Sequence, residues 1–365
     1  VSSPTRRFGH YGASGERCFR IQFANESPQM PRQLELEIGN LLCKFGEKLV
    51  LNDLLTPVVV PAFFADTTRS YRDTSYFFTR QKFSYLKPGD IDTLALTCRF
   101  VKNTVLRRHQ IFDSNKGIVQ SEDSMESAPS SIAILLLSTH RLLYVREVPN
   151  APSMNQFAST FKFLLRNSVM NYHNSLYSQA EAGLKPISMR AIKAQIPIPE
   201  VSVIPLVSRE SLKTFVDRFE ILKNLKVQLA PTNNELDNED FFKNLRKRKE
   251  EVGSTTTVVV HRNNAGLNKQ GCLEHVEAAK QGNAFVEMRG VDAQGDELVG
   301  TNSEFSVKAL LPKETKAMSK NIEQAIDKYF ELLGSEVITV GKAADNKKQQ
   351  LAEIHNEHMK GQNDE

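Results

Sequence analysis

Four consecutive cations, Arg246, Lys247, Arg248 and Lys249, fall within the run FFKNLRKRKEE. Guanidinium and ammonium groups at that density suit phosphate oxygens, to which they are charge-assisted donors. Consecutive positions on a helix point around its axis, so the four cannot all meet one groove. A second account is as good. Glu235, Asp237, Glu239 and Asp240 open the same predicted helix, and acid first, base last is the order the helix dipole prefers. Cation density exceeds what dipole matching needs, so both accounts stand.

Arg262, Arg289 and Lys308 lie on three predicted strands of one β-rich stretch, from Gly253 to Leu311. If those strands pair, the cations share one face and can track a phosphate backbone. The alternative is an ordinary solvated sheet face. No aromatic residues interleave with them, which disfavours stacking of single-stranded bases and leaves duplex recognition. Arg107, Arg108 and His109 close another predicted strand. They read either as a basic tip for a minor groove or as a solubilising turn.

Catalytic signatures are missing. The chain has no HExxH, GxSxG or P-loop lysine motif. None of its 8 histidines pairs with another at metal-ligand spacing in an ordered element. Glu287, Asp292 and Glu297 surround a predicted hairpin, Glu287 and Glu297 facing each other across it. Such carboxylates can hold magnesium in a nuclease. The Gly290 and Ala293–Gln294–Gly295–Asp296 neighbourhood is also a turn, where carboxylates collect for other reasons. No catalytic residue, metal ligand or cofactor is assigned.

At 365 residues the chain can bury more than one core. A formal charge of +4 is too small to argue for nucleic acid by itself, so clustering must carry that reading. The 4 cysteines, Cys18, Cys43, Cys98 and Cys272, are far apart in sequence, which favours a reducing cytosol over a disulfide framework. The longest apolar run, Ile132 to Leu137, is too short for a bilayer; no membrane insertion is expected.

Hydrophobic periodicity supplies the elements. A polar arm over 1–17 precedes a strand at 18–24. Leu34, Ile38, Leu41, Leu42 and Phe45 sit at helical spacing within 33–48. The prolines of LTPVVVPAFF suggest an edge strand or extended connection. TSYFFTRQKFSYL and IDTLALTCRFVK alternate as strands, and 114–131 reads as a polar loop. SIAILLLSTHRLLYVREVP is a hairpin, followed by an amphipathic helix from Ser153. After a proline-containing linker come a strand at 200–207, a helix capped by Ser211 and a strand at LKVQLA. The basic helix, the β-rich stretch and a helix over 314–333 complete the pattern. The expected fold is α+β. Its two domains, 18–183 and 200–340, are joined by a linker at 184–199, and a polar, frayed tail covers 341–365. Each domain holds a mainly antiparallel sheet flanked by helices on one side.

SIAILLLSTHRLLYVREVPNAPSMNQFASTF (131–161), EVSVIPLVSRESLKTF (200–215) and NAFVEMRGVDAQGDELVGTNSEFSVKALL (283–311) resemble the RexA phage-exclusion proteins and related bacterial phage-defence domains. The similarity spans about 131–333 and carries over no site residue. It implies a cytoplasmic, homodimeric, DNA-binding sensor or effector of anti-phage defence. The function expected from residues and resemblance together is non-enzymatic, sequence-tolerant binding of double-stranded DNA. The alternatives are a metal-dependent nuclease or toxin, and a subunit that binds a protein partner encoded by a neighbouring defence gene.

Overall fold

In the computed structural model the described residues are 33–182, 187–231, 233, 240–277, 282–312, 315–341 and 345–363. The arm at 1–17, the strand at 18–24 and the acidic positions 235, 237 and 239 lie outside them. The described residues open on strand β1 (Glu35–Phe45), where helical spacing predicted a helix. The reason is burial on both faces. Leu36 and Ile38 enter one core and Leu41, Cys43 and Phe45 the other. A strand covered on both sides reads as a near-continuous apolar run, in which helical and strand periods cannot be told apart.

The strand β2 (Leu49–Val50) and two helical turns lead to α1 (Val60–Phe64). Here the expected extended segment is helical. Pro61 sits in the first turn of α1, where its missing N–H is not needed. Next come β3 (Arg69–Tyr71), β4 (Thr74–Tyr85) and β5 (Leu94–Arg107). The expected polar loop instead contributes to a two-stranded ribbon of β6 (Gln110–Asp113) and β7 (Gly117–Gln120), and then to β8 (Ser124–Ser127), which pairs with the end of β5. The hairpin β9 (Ser130–Leu136) and β10 (Arg141–Arg146) turns through His140 at φ 53°.

The long helix α2 (Met154–Ala182) follows. The expected linker then holds α3 (Met189–Gln195), capped by the Ser188 hydroxyl. Strand β11 (Pro199–Pro205) leads to α4 (Arg209–Asp217), whose cap is Ser208 rather than Ser211: its Oγ accepts from the Ser211 N–H. The remainder is β12 (Phe219–Leu229), α5 (Asp240–Val252), β13 (Val258–Arg262), α6 (Lys269–Glu277), β14 (Ala284–Asp292), β15 (Glu297–Thr301), β16 (Lys308–Leu310), α7 (Met318–Gly334) and α8 (Asp345–Asn363).

The fold is α+β with antiparallel sheets flanked by helices. The large sheet runs β11-β1-β10-β9-β5-β4-β3, with β2 and β16 also on β1 and β8 on β5. Alternation sends its side chains into two cores. Phe157, Phe161 and Leu165 of α2 fill one side, and Ile326 and Tyr329 of α7 fill the other. Helices therefore cover this sheet on both faces, not one. Strands β11 and β16 and helix α7, read from sequence as parts of the second domain, belong to this sheet and its core.

Helix α8 occupies the stretch expected to fray. Leu351 is buried, and His355 lies edge-on to Phe83 and Tyr85, with ring centroids 5.2 and 4.7 Å away. The smaller sheet, β13-β12-β14-β15, packs one face on α4, α6 and Phe242 of α5. No helix among the described residues is long and apolar enough to cross a membrane.

Candidate phosphate-binding cleft

Helix α5 divides its four cations. Phe242 is buried and Leu245 packs beside it, which sets the rotation of the helix. Arg246, Lys249, Glu250 and Gly253 then share one face at helical spacing and line a cleft of about 820 Å³. Lys247 and Arg248 point to solvent, and Lys247 reaches Glu251 at 3.9 Å. The helix ends at Gly253, whose φ of 67° suits glycine, and Ser254 N–H closes on Lys249 O at 2.9 Å.

The opposite wall comes from the large sheet and α2. Leu42 and Lys44 of β1, Lys162 of α2, and Glu200, Val201 and Ser202 of β11 face α5. Lys44 is paired in register with Glu200. A buried polar clamp brings the segment before α5 to this edge. Asn233 Nδ2 donates to Leu41 O at 2.8 Å, and Asn233 Oδ1 accepts from Cys43 N–H at 3.3 Å. The Ala230 N–H donates to Asn283 O at 3.0 Å, while Arg246 Nη1 donates to Ala230 O at 2.8 Å. Arg246 is thus half structural and half a wall of the cleft.

Lys44 is only partly exposed. Burial pulls its ammonium below the usual lysine range; Lys249 and Arg246 act the same way and Glu47 opposes them. No ion pair joins Lys44, Lys162 or Lys249 to a carboxylate among the described residues. Cations thus converge on the cleft from both walls, with Glu47, Glu200 and Glu250 among them but not ion-paired to these three lysines. Lys44 and Lys162 were missed by sequence reasoning. Each is a single lysine in an apolar or mixed segment, and nothing local marks it.

The other sequence-derived candidates scatter. Arg262 and Arg289 share the solvent face of the smaller sheet, each opposite Asn224 of β12. Lys308 does not join them. Strand β16 pairs with β1 in the large sheet, where Lys308 Nζ lies 3.5 Å from Glu35. The expectation that three strands of one stretch would form one sheet fails because β16 finds its partner edge across the molecule. Arg107 bonds Asp73 at 2.7 Å, and Arg108 begins the outer part of the exposed ribbon.

The carboxylates behave as parts of a sheet edge and a turn. Glu287 does not face Glu297 across the hairpin; its partner is Thr301, and Glu297 lies opposite Val291. Glu287 Oε1 accepts from Arg289 Nε at 2.6 Å, which holds the Glu287 carboxyl below its ordinary value. Asp292 Oδ1 accepts from the N–H groups of Gln294 and Asp296 at 2.9 and 3.0 Å, closing the turn. No group of three or more His, Cys, Asp or Glu stands in metal-binding proximity among the described residues. Comparison with protein-family models and with curated proteins gives no match.

Proposed function

We propose that this protein binds double-stranded DNA through its phosphates, with little preference for sequence, along the exposed ridge of α5 and the mouth of the adjoining cleft. One observation carries the reading. Lys247 and Arg248 stand exposed on the ridge of α5, and the exposed Lys162 lines the cleft that adjoins them. A surface of this kind attracts a polyanion by charge and counterion release and carries no base code. Support for a place in anti-phage defence rests on the resemblance of 131–333 alone. Two copies acting together are part of the same proposal.

Fluorescence anisotropy on labelled duplexes of unrelated sequence tests it. With about four to eight phosphates neutralised, the slope of log affinity against log salt is expected near −4 to −7. Affinities should agree between sequences within about threefold. A flat salt response, or one strongly preferred sequence, removes this mechanism.

A further inference from the structure

The cleft beside α5 has two properties that a duplex backbone does not use. Its inner cations are recessed: Lys44, Arg246 and Lys249 are partly buried, whereas Lys247 and Arg248 on the ridge are exposed. Its lining is also mixed. Pro197, Ile198 and Pro231 form an apolar wall, while Glu47, Glu200 and Glu250 stand among the cations. A volume of about 820 Å³ is that of a small-molecule site, not of a groove for a rod-like polymer.

The mixture narrows the class of ligand. An inorganic anion would satisfy the cations but meet the carboxylates at a cost. A neutral nucleoside would satisfy the carboxylates and leave recessed ammonium groups without a counter-charge. A molecule with phosphates at one end and hydroxyl or amine donors at the other satisfies both. Carboxylates accept well from ribose hydroxyls and exocyclic amines. A flat apolar ring can rest on the proline and isoleucine wall.

We infer that the cleft is a nucleoside-phosphate site, with Lys44, Arg246 and Lys249 on the phosphates, the apolar wall on the base and Glu200 or Glu250 on the sugar or base donors. The inference rests on the reading that this surface binds phosphates, and it adds the small-molecule class that the interior admits. Two sources share this chemistry: a free nucleotide, or the terminal nucleotide of a phosphorylated strand.

Calorimetric titration of the full chain separates the outcomes. The probes are adenosine triphosphate, adenosine, inorganic phosphate, and single-stranded oligonucleotides with and without a 5′-phosphate. The triphosphate should bind about tenfold or more tightly than either adenosine or inorganic phosphate, because each charge-assisted contact is worth about that much. Lys44→Met and Lys249→Ala, each with an unchanged melting curve, should weaken the triphosphate about tenfold.

If the 5′-phosphorylated oligonucleotide displaces the triphosphate and its unphosphorylated twin does not, the strand end is the source. If neither displaces it, the free nucleotide is. Equal affinity for adenosine and its triphosphate, triphosphate binding unaltered in both variants, or no triphosphate binding at all would overturn the site. Salt-dependent duplex binding that survives any of these three results leaves the DNA reading standing. Loss of duplex binding in a protein that still takes the triphosphate removes the DNA reading and keeps this one.

Discussion

Arg262 and Arg289 stand opposite the same residue, Asn224, from the two strands that flank β12. They lie two strand spacings apart, roughly 10 Å, on the open face of the smaller sheet. Glu287 clamps Arg289 at 2.6 Å, and Glu297 lies 3.9 Å from its other end. Of these two cations, Arg289 therefore has nearby acid partners and Arg262 has no ion pair among the described residues.

That relationship gives a test that separates binding from metal-dependent cleavage. Glu287→Gln with Glu297→Gln removes negative charge around Arg289. Duplex affinity at low salt is expected to stay level or rise by up to about threefold, since exposed charges act weakly at this range. Magnesium-dependent nicking of a plasmid by the unaltered protein, abolished in the double variant, would favour the nuclease reading.

The four cations of α5 are expected to divide into two pairs by experiment as they do by geometry. Lys247→Ala with Arg248→Ala should leave the melting temperature unchanged and make the salt slope shallower by about 2, because each lost phosphate contact removes about 1. Arg246→Ala should in addition destabilise the fold by about 1 kcal/mol, because its guanidinium bonds the Ala230 carbonyl. Urea melts of the variants check the difference. Equal stability losses in both cases would mean that Arg246 does not brace the cleft.

Docking of α8 should weaken in mild acid. Burial lowers the His355 imidazole below its ordinary value, with the Asn356 bond opposing and His358 adding to the shift. The folded form therefore prefers the neutral ring. This contribution is whole above the unfolded pKa of about 6.5 and is lost as pH falls through the depressed folded value. Protection factors of the amides in 345–363, taken against the intrinsic exchange rate at each pH, should fall as pH drops from about 7 to about 5. In His355→Leu that fall should be smaller. An identical pH response in the two proteins would show that another group controls the helix.

Gly290 and Gly300 are both closely approached, and by different groups. A Cβ at 290 would lie 2.1 Å from the Ile221 carbonyl oxygen; one at 300 would lie 2.0 Å from the tip of the Phe215 ring. A paired strand cannot move its carbonyl without breaking the ladder, whereas a side chain can swing about χ1. Gly290→Ala is expected to destabilise by about 2–4 kcal/mol and Gly300→Ala by less. Chemical denaturation of both variants checks the order.

The sequence by itself determined many of the elements. Strand β4, α2, the strands of the smaller sheet and α7 show their period, because one side of each meets more water, whereas β5 and the β9–β10 hairpin, buried on both faces, were legible as short apolar runs bounded by polar turns. It also determined that the α5 cations could not act as a block, since consecutive helical residues point apart. Other elements were hidden. β1 is covered on both sides and its apolar residues also fit a helical period, and α8 offers only Leu351, Ile354 and His355 in a polar run. Tertiary structure alone decided that Lys44 and Lys162 meet Lys249, and that Lys308 leaves Arg262 and Arg289 for another sheet. Those outcomes depend on which strand edges pair across long stretches of chain, and a single lysine carries no local signal of what it will face once they have paired.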